Sequence, residues 1–300
     1  MNPRQLIGVD IGGTKIAVAV VDVTGQMLAR TAFPTEAEQG FHRAVGRLTQ
    51  AIEEVVAQAG TPPIAGIGIG CAGPVDPIQG LINNPFTLTG WDRCDIVSPL
   101  SEHFKVPVRL ENDADAAALG ECWVGAGQGA SPVVMLTFGT GVGGATIQEN
   151  RVVRGSRGEH PELGHLPVDA QGPACYCGSA GCLESIASGS ALGQAAQAIG
   201  LRDARELFAA ARDGSGPAKA SVDRAVAAAC TAAWTVFHTI LPQRLVLGGG
   251  MMDTEFDLFA GPMRERIAKA TQFTPGAVAI VPARLGNDAG IVGAASLFRP

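Results

Sequence analysis

The chain has 300 residues, of which 46% are hydrophobic, 17% charged and 5% aromatic, and its formal net charge is −6. That length supports two domains with full cores, or one large one. Lysines and arginines do not cluster, which argues against a nucleic-acid or anionic-membrane surface. No charged segment followed by a long apolar run opens the chain, and the apolar runs are strand-length, so neither a leader nor a membrane span is expected.

Seven cysteines are an odd count, and three of them crowd together at Cys175, Cys177 and Cys182. That distribution fits a metal cluster in a reducing compartment rather than a disulfide framework, and a cytoplasmic location is expected.

Residues 6–11 and 16–22 are short β-branched runs joined by Gly12-Gly13-Thr14, the pattern of a hairpin, and 26–33 is a candidate third strand. Phe41, Val45, Leu48, Ile52, Val55 and Val56 fall at helical spacing within 36–60, before Gly60 and Pro62-Pro63. Strands follow at 64–70 and 106–110, then an Ala-rich helix over 113–124. A second hairpin, 132–138 with 142–148, surrounds a glycine-rich turn at 139–144. A cysteine-rich insertion comes next, then helices over 183–240, a strand at 245–247, and a C-terminal helix over 289–297. The order predicts an α/β protein with mixed sheets. The expected domains are 1–120 and 121–288, with the helix in 289–300 packing back on the first and the cysteine-rich insertion in the second.

Three glycine turns are candidate phosphate or nucleotide cradles. In Asp10-Ile11-Gly12-Gly13-Thr14-Lys15 the glycines admit a phosphate close to the backbone, Thr14 adds a hydroxyl, Lys15 a charge, and Asp10 a group that can hold a metal through water. A plain Gly-Gly hairpin would read the same way, and the spacing is not that of a P-loop. Thr137-Phe138-Gly139-Thr140-Gly141-Val142-Gly143-Gly144 holds more glycine than a hairpin needs. Gly248-Gly249-Gly250 forms a strand-to-helix turn that suits a nucleotide or a close-packed crossover.

Glu111-Asn112-Asp113-Ala114-Asp115 joins a strand end to a helix start. Asp113 is either a helix cap or a general base, Asn112 a substrate-orienting amide, and Asp115 a solvent-facing or helix-terminus charge. His165, Cys175, Cys177 and Cys182 make a Cys₃His set, the donors of a tetrahedral zinc site with no open position and therefore structural. Glu162 and Glu184 flank it as candidate contacts to sugar hydroxyls or as ordinary surface charge.

Together these motifs resemble the ROK family of repressors and sugar kinases, from Gly8 to about Ala295. Asp10–Lys15 is similar to its first phosphate loop, 137–144 to its second, and Gly248-Gly249-Gly250 to its adenosine motif. Asn287-Asp288-Ala289-Gly290 through Gly293-Ala294-Ala295 resembles its closing segment. Asn112-Asp113 matches its sugar-binding Asn and catalytic Asp. Glu162-Leu163-Gly164-His165 matches its sugar-contacting motif, and Cys175 to Glu184 its zinc motif with a further sugar-contacting Glu. The sequence departs from the family at Asp115, where Asn is common, at His160-Pro161, where Ala-Gly is common, and at Thr87, where Asn is frequent four residues before Trp91. Gly73 is a modest candidate for a sugar contact.

The resemblance implies an actin-like ATPase (ribonuclease H-like) fold: two α/β domains around a cleft. It also implies ATP with Mg²⁺, a structural Zn²⁺, a sugar as the small-molecule partner, and a homodimer. ATP would be held by Asp10, Gly12, Gly13, Thr14, Lys15, Thr137, Gly139, Thr140, Gly141, Gly249 and Gly250. The sugar would be held by Gly73, Asn112, Asp113, Glu162, His165 and Glu184. The expected reaction is phosphorylation of glucose at O6, with Asp113 as base. N-acetylglucosamine or N-acetylmannosamine, then fructose or mannose, are the alternative acceptors. A sugar sensor without transferase activity is the non-enzyme alternative. The DNA-binding branch is disfavoured because the first phosphate loop begins at Asp10, which leaves no room for a preceding helix-turn-helix.

Overall fold

The computed structural model describes residues 4–270 and 278–299. Contacts divide the chain into two compact units: Met1–Gly129 with Asn150–Pro161 and Asn287–Pro300, and Ala130–Glu149 with Glu162–Gly286. The expected break near residue 120 falls inside helix Asp113–Val124, which carries the first unit through to residue 129.

In the first unit, β1 (Gln5–Ile11), β2 (Lys15–Val21) and β3 (Met27–Pro34) form an antiparallel meander. Helix α1 (Phe41–Gln58) starts later than its apolar pattern predicts, because residues 37–39 form a 3-10 turn that ends at Gly40, whose φ is 93°. Strand β4 (Ile64–Cys71) follows, then the short antiparallel strands β5 (Val75–Asp76), β6 (Leu81–Ile82) and β7 (Cys94–Asp95), and helix α2 (Val97–Phe104). Strand β8 (Val108–Asn112) lies two residues later than expected and runs directly into α3 (Asp113–Val124). The main sheet has the order β3-β2-β1-β4-β8, with β1, β4 and β8 parallel. Parallel neighbours require crossovers, which α1 and α2 supply.

Both faces of this sheet are covered. Ile7, Val9 and Ile11 pack with Leu48, Ile52 and Val55 of α1. On the other face Leu6, Ala17 and Ala19 meet Ile291 and Ala295 of the C-terminal helix, Ala289–Ser296. That helix lies so close that a Cβ on Gly8 would stand 2.1 Å from the Ile291 carbonyl oxygen, and one on Gly68 would stand 1.8 Å from that of Ala294. Only glycine permits such backbone approach.

In the second unit, β9 (Val133–Phe138) and β10 (Val142–Gln148) form a hairpin. The segment expected as helices over 183–240 resolves into α4 (Leu183–Ala187), α5 (Gly189–Ala198), α6 (Ala204–Arg212) and α7 (Gly216–Ile240). Ser188 ends α4 and caps α5 by accepting from Ala191 N–H, and Asp203 caps α6 by accepting from Glu206 N–H. Strand β11 (Arg244–Gly248), α8 (Met252–Ala270) and β12 (Ala279–Pro282) complete the unit, with strand order β10-β9-β11-β12, and α9 is the C-terminal helix (Ala289–Ser296) already placed on the first. The core joins the inward side chains of β9 and β11 to α5, α7 and α8, with Phe138, Phe237 and Phe259 fully buried. No helix among the described residues is long and apolar enough to cross a membrane.

Candidate active site

Parallel pairing collects the first unit's candidates on one sheet edge. Ile11 is level with Cys71, and Cys71 with Asn112, so three strands end together. In α/β sheets ligands bind beyond the carboxyl ends of the strands. Beyond this edge lie the turn Gly12-Gly13-Thr14, with Lys15 leading away from it, Gly73, and the start of α3. Gly12 N–H donates to the Lys15 carbonyl at 2.9 Å, closing the turn, while Gly13, Thr14 and Lys15 are exposed. Gly73 lies against the Asn112 side chain.

Asn112, not Asp113, caps α3. Its Oδ1 accepts from Ala114 N–H at 2.9 Å and Asp115 N–H at 3.3 Å, which leaves its amide donors for other partners. Asp113 is the first helical residue, and its Oδ1 accepts from Ala114 N–H at 2.8 Å. Burial, and then the neighbouring Asp10 carboxylate, raise the Asp113 carboxyl to about 6, opposed by the Ala114 N–H and His160. Burial raises Asp10 to about 6 as well, against the pull of Lys15 and Arg30. A carboxyl held in this range is suited to general-base work near neutral pH.

Asp115 does not face solvent or serve only as a helix-terminus charge. Its side chain is 0% exposed, because the segment 150–161 folds over the start of α3 and supplies Arg154 and His160. Arg154 Nη2 donates to Asp115 Oδ2 at 3.2 Å and also to Glu111 Oε1, and His160 Nδ1 stands 3.0 Å from Asp115 Oδ2. Sequence reasoning missed Glu111 and Arg154 as partners, since nothing in their spacing joins positions 43 residues apart. It also missed Asn84, whose Oδ1 accepts from Phe86 and Thr87 N–H while its amide donates to the Ala72 carbonyl and to Thr87 Oγ1. An Asn three residues before a Thr is an Asx-turn signal that was available.

In the second unit, β9 and β11 are parallel, with Gly248 level with Thr137. Their carboxyl ends bring the turn containing Thr137, Gly139, Thr140 and Gly141 beside Gly249 and Gly250. Gly139 N–H donates to the Gly141 carbonyl at 2.9 Å, and Met251 N–H donates to the Phe138 carbonyl at 3.1 Å. Gly249 has φ 87°, and a Cβ there would stand 2.4 Å from the Phe138 oxygen. The start of α5 braces the turn from behind, Gly189 N–H donating to the Gly139 carbonyl and Ser190 N–H to the Thr140 carbonyl.

His165, Cys175, Cys177 and Cys182 converge, their ligand atoms all within 4.8 Å of one another. Cys177 Sγ lies 3.6 Å from Cys182 Sγ, and Cys175 Sγ lies 3.4 Å from His165 Nδ1. A tetrahedron with metal–sulfur bonds of about 2.3 Å puts its ligand atoms roughly 3.5–3.8 Å apart, so the donor set and its spacing fit a four-coordinate zinc. Backbone bonds preset the cluster: Cys175 N–H to the Ser179 carbonyl at 2.8 Å, Val168 N–H to the Gly181 carbonyl at 2.8 Å, and Leu183 N–H to the Leu166 carbonyl at 3.0 Å. Glu162 is exposed and precedes the 3-10 turn Leu163–His165. Glu184 lies in the first turn of α4; its Oε2 accepts from Val142 N–H at 2.8 Å, and its carboxylate also receives the Tyr176 hydroxyl.

The ROK family pattern matches residues 6–300. The chain is 34% identical to the glucokinase of Thermotoga maritima over 316 residues, which cover 100% of this chain and 98% of that protein. The ROK hexokinase of Thermus thermophilus superposes with a TM-score of 0.87 at 38% identity, over 97% of each chain. A ROK family glucokinase from Streptomyces griseus, solved with glucose and AMPPNP, superposes with a TM-score of 0.75 at 34% identity, over 98% of each chain. Likeness at this level carries the actin-like ATPase fold to this protein. Because the pattern runs from the first strand to the C-terminus, the chain belongs to the ROK family.

Proposed function

We propose that the chain is an ATP-dependent sugar kinase that phosphorylates glucose at O6. The observation that carries this reading is Asp113: a carboxyl raised to about 6, at the edge where three strands end, next to Asn112 and the 12–14 turn. The full-length likeness to glucokinases supports glucose as the acceptor.

In this reading Asp113 accepts the proton of the attacking hydroxyl while the Asn112 amide orients the sugar ring. Glu162, His165 and Glu184 hold further sugar hydroxyls. The turns at 12–14, 137–144 and 248–250 supply backbone N–H groups for the nucleotide, with Lys15 as a point charge. Asp10 would hold the water shell of the Mg²⁺ that comes with ATP, which would supply charge compensation at the transferring phosphoryl group. Zinc held by His165, Cys175, Cys177 and Cys182 would be structural: four protein ligands leave no open position, and its work is to fix the loop that carries His165. Seven cysteines with no disulfide among the described residues, three of them in the metal cluster, support a reducing, cytoplasmic setting. A homodimer follows from the family resemblance and is checked by light scattering.

The test is ADP release with ATP and Mg²⁺ against glucose, mannose, fructose, N-acetylglucosamine and N-acetylmannosamine. The reading expects the highest kcat/KM with glucose. A clear preference for an N-acetylhexosamine would replace the substrate assignment, and no sugar-dependent release would remove the enzymatic one.

A further inference from the structure

We infer that Gly290 is a positioning residue for Asp10: the first turn of α9 leaves out a side chain there so that the Asp10 carboxyl can lie on it, which fixes where that carboxylate stands at the sheet edge. The inference rests on the proposed role of Asp10 toward the Mg²⁺ that comes with ATP.

Alternation along β1 sends Leu6, Gly8 and Asp10 to one face of the sheet, the face that α9 covers. The three positions use that face differently. Leu6 packs in the apolar cluster with Ile291 and Ala295. Gly8 takes the Ile291 carbonyl against its backbone. Asp10 carries a carboxyl into the same narrow gap, and Gly290 lies opposite it. A Cβ on Gly290 would stand 2.9 Å from Asp10 Cγ, 3.0 Å from Oδ1 and 3.2 Å from Oδ2. Carbon atoms in contact sit about 3.5–4.0 Å apart, so a methyl group and this carboxyl cannot share the space.

The other glycines at this helix serve main-chain packing. A Cβ on Gly293 would stand 1.6 Å from the Ala116 carbonyl oxygen, and those on Gly8 and Gly68 would meet carbonyls of α9. At Gly290 the three nearest atoms all belong to the Asp10 carboxyl. Nor does the backbone call for glycine there. Gly290 is the second residue of α9 and its φ is not positive, so alanine would be the better helix former.

The helix is poorly placed to yield. Its main chain is held by the contacts at Gly8, Gly68 and Gly293, and Asp288, at its N-cap, pairs with Arg30 of β3 at 3.2 Å. The carboxyl is the part that would move. On the next strand Gly70 is level with Asp10, and a Cβ there would lie 3.8 Å from both the Asp113 Cα and the Gly290 carbonyl oxygen. The same turn of α9 thus abuts the strand position beside the base, and a displaced Asp10 carboxyl moves relative to an Asp113 that stays in place.

The test is Gly290→Ala, read by its crystal structure without nucleotide or metal and by initial-rate kinetics with glucose and ATP. We expect the Asp10 carboxyl to be displaced by about 1 Å or turned to another rotamer, with α9 in place. A carboxyl in its wild-type position, with α9 moved instead, overturns the inference. We expect kcat to fall about tenfold to a hundredfold while the glucose KM changes less than about twofold. An unchanged kcat, or a loss carried by the glucose KM alone, assigns Gly290 to packing and also overturns it. If Gly290→Ala does not fold, the same substitution combined with Asp10→Ala decides. The double variant folds if the added carbon meets only that carboxyl, and its failure to fold overturns the inference. Should the wild-type protein not phosphorylate glucose, the crystal structure alone decides the seat of Asp10, and the kinase reading fails separately.

Discussion

Glu184 Oε2 accepts a hydrogen bond from Val142 N–H at 2.8 Å, so the residue two positions after Cys182, the last cysteine of the cluster, is tied to the glycine turn between β9 and β10. The family resemblance implies a sugar contact for Glu184, and the structure adds a brace for the turn. Glu184→Ala removes a charged hydrogen bond worth about 1.5–3 kcal/mol. It is expected to raise the ATP KM roughly tenfold, as well as that for glucose. Initial-rate kinetics with each substrate varied in turn decide it: an unchanged ATP KM would confine Glu184 to the sugar.

Asp113→Asn is expected to stabilise the protein at neutral pH. The folded carboxyl sits near 6 against an ordinary value of 3.8, so the native state binds this proton more tightly than the unfolded one. The stability this group contributes is therefore fully present below about 4 and is lost as pH rises through about 6. Above that, the ionised form costs on the order of 1–3 kcal/mol. Thermal melts at pH 7.5 should show the variant a few degrees above wild type, with the gap closing towards pH 4. A lower midpoint for the variant at pH 7.5 would contradict the burial argument.

The acid limb of kcat/KM for glucose should have its midpoint near 6, set by Asp113 with Asp10 beside it. Asp10→Asn removes a like charge, which lowers the Asp113 carboxyl, so its limb should move to lower pH even though the rate itself falls. A limb that stays in place would detach Asp10 from the base.

Cys177→Ser leaves a three-ligand site and should lower the zinc content below one equivalent, measured by atomic emission. Strong chelation of the wild type should act the same way. Because His165 is both a metal ligand candidate and part of the sugar motif, glucose KM should rise before ATP KM does. Full activity in a zinc-free preparation would contradict the support role.

Gly68→Ala tests the docking of α9. The added Cβ would stand 1.8 Å from the Ala294 carbonyl oxygen, which is backbone and has nowhere to yield. A cost of about 2–4 kcal/mol is expected, above the usual overpacking range because the contact is to main chain. Denaturant melts that show less than 1 kcal/mol would mean α9 shifts freely.

Much of this site is legible in the sequence because it is written in local motifs. Glycine turns, the Asn112-Asp113 step and the Cys175 to Cys182 cluster each lie within one short segment, and hydrophobic periodicity places the strands and helices around them. What escaped is long-range. Asp115 reads as an ordinary first-turn carboxylate until segment 150–161 covers it with Arg154 and His160. Positions 115 and 160 are two of the places where the chain departs from the family pattern, and the structure shows them bonded to each other. The helix over 36–60 begins late because periodicity does not register the left-handed backbone at Glu36, φ 50°, or the positive φ of Gly40.

The most direct measurement is identification of the product from glucose and ATP with Mg²⁺ by phosphorus NMR, for the wild type and for Asp113→Asn with glucose binding confirmed by calorimetry. The account predicts glucose 6-phosphate from the wild type, and from the variant undiminished glucose binding with product formation lowered at least a thousandfold. Glucose 6-phosphate formed by the variant at near wild-type rates would contradict it.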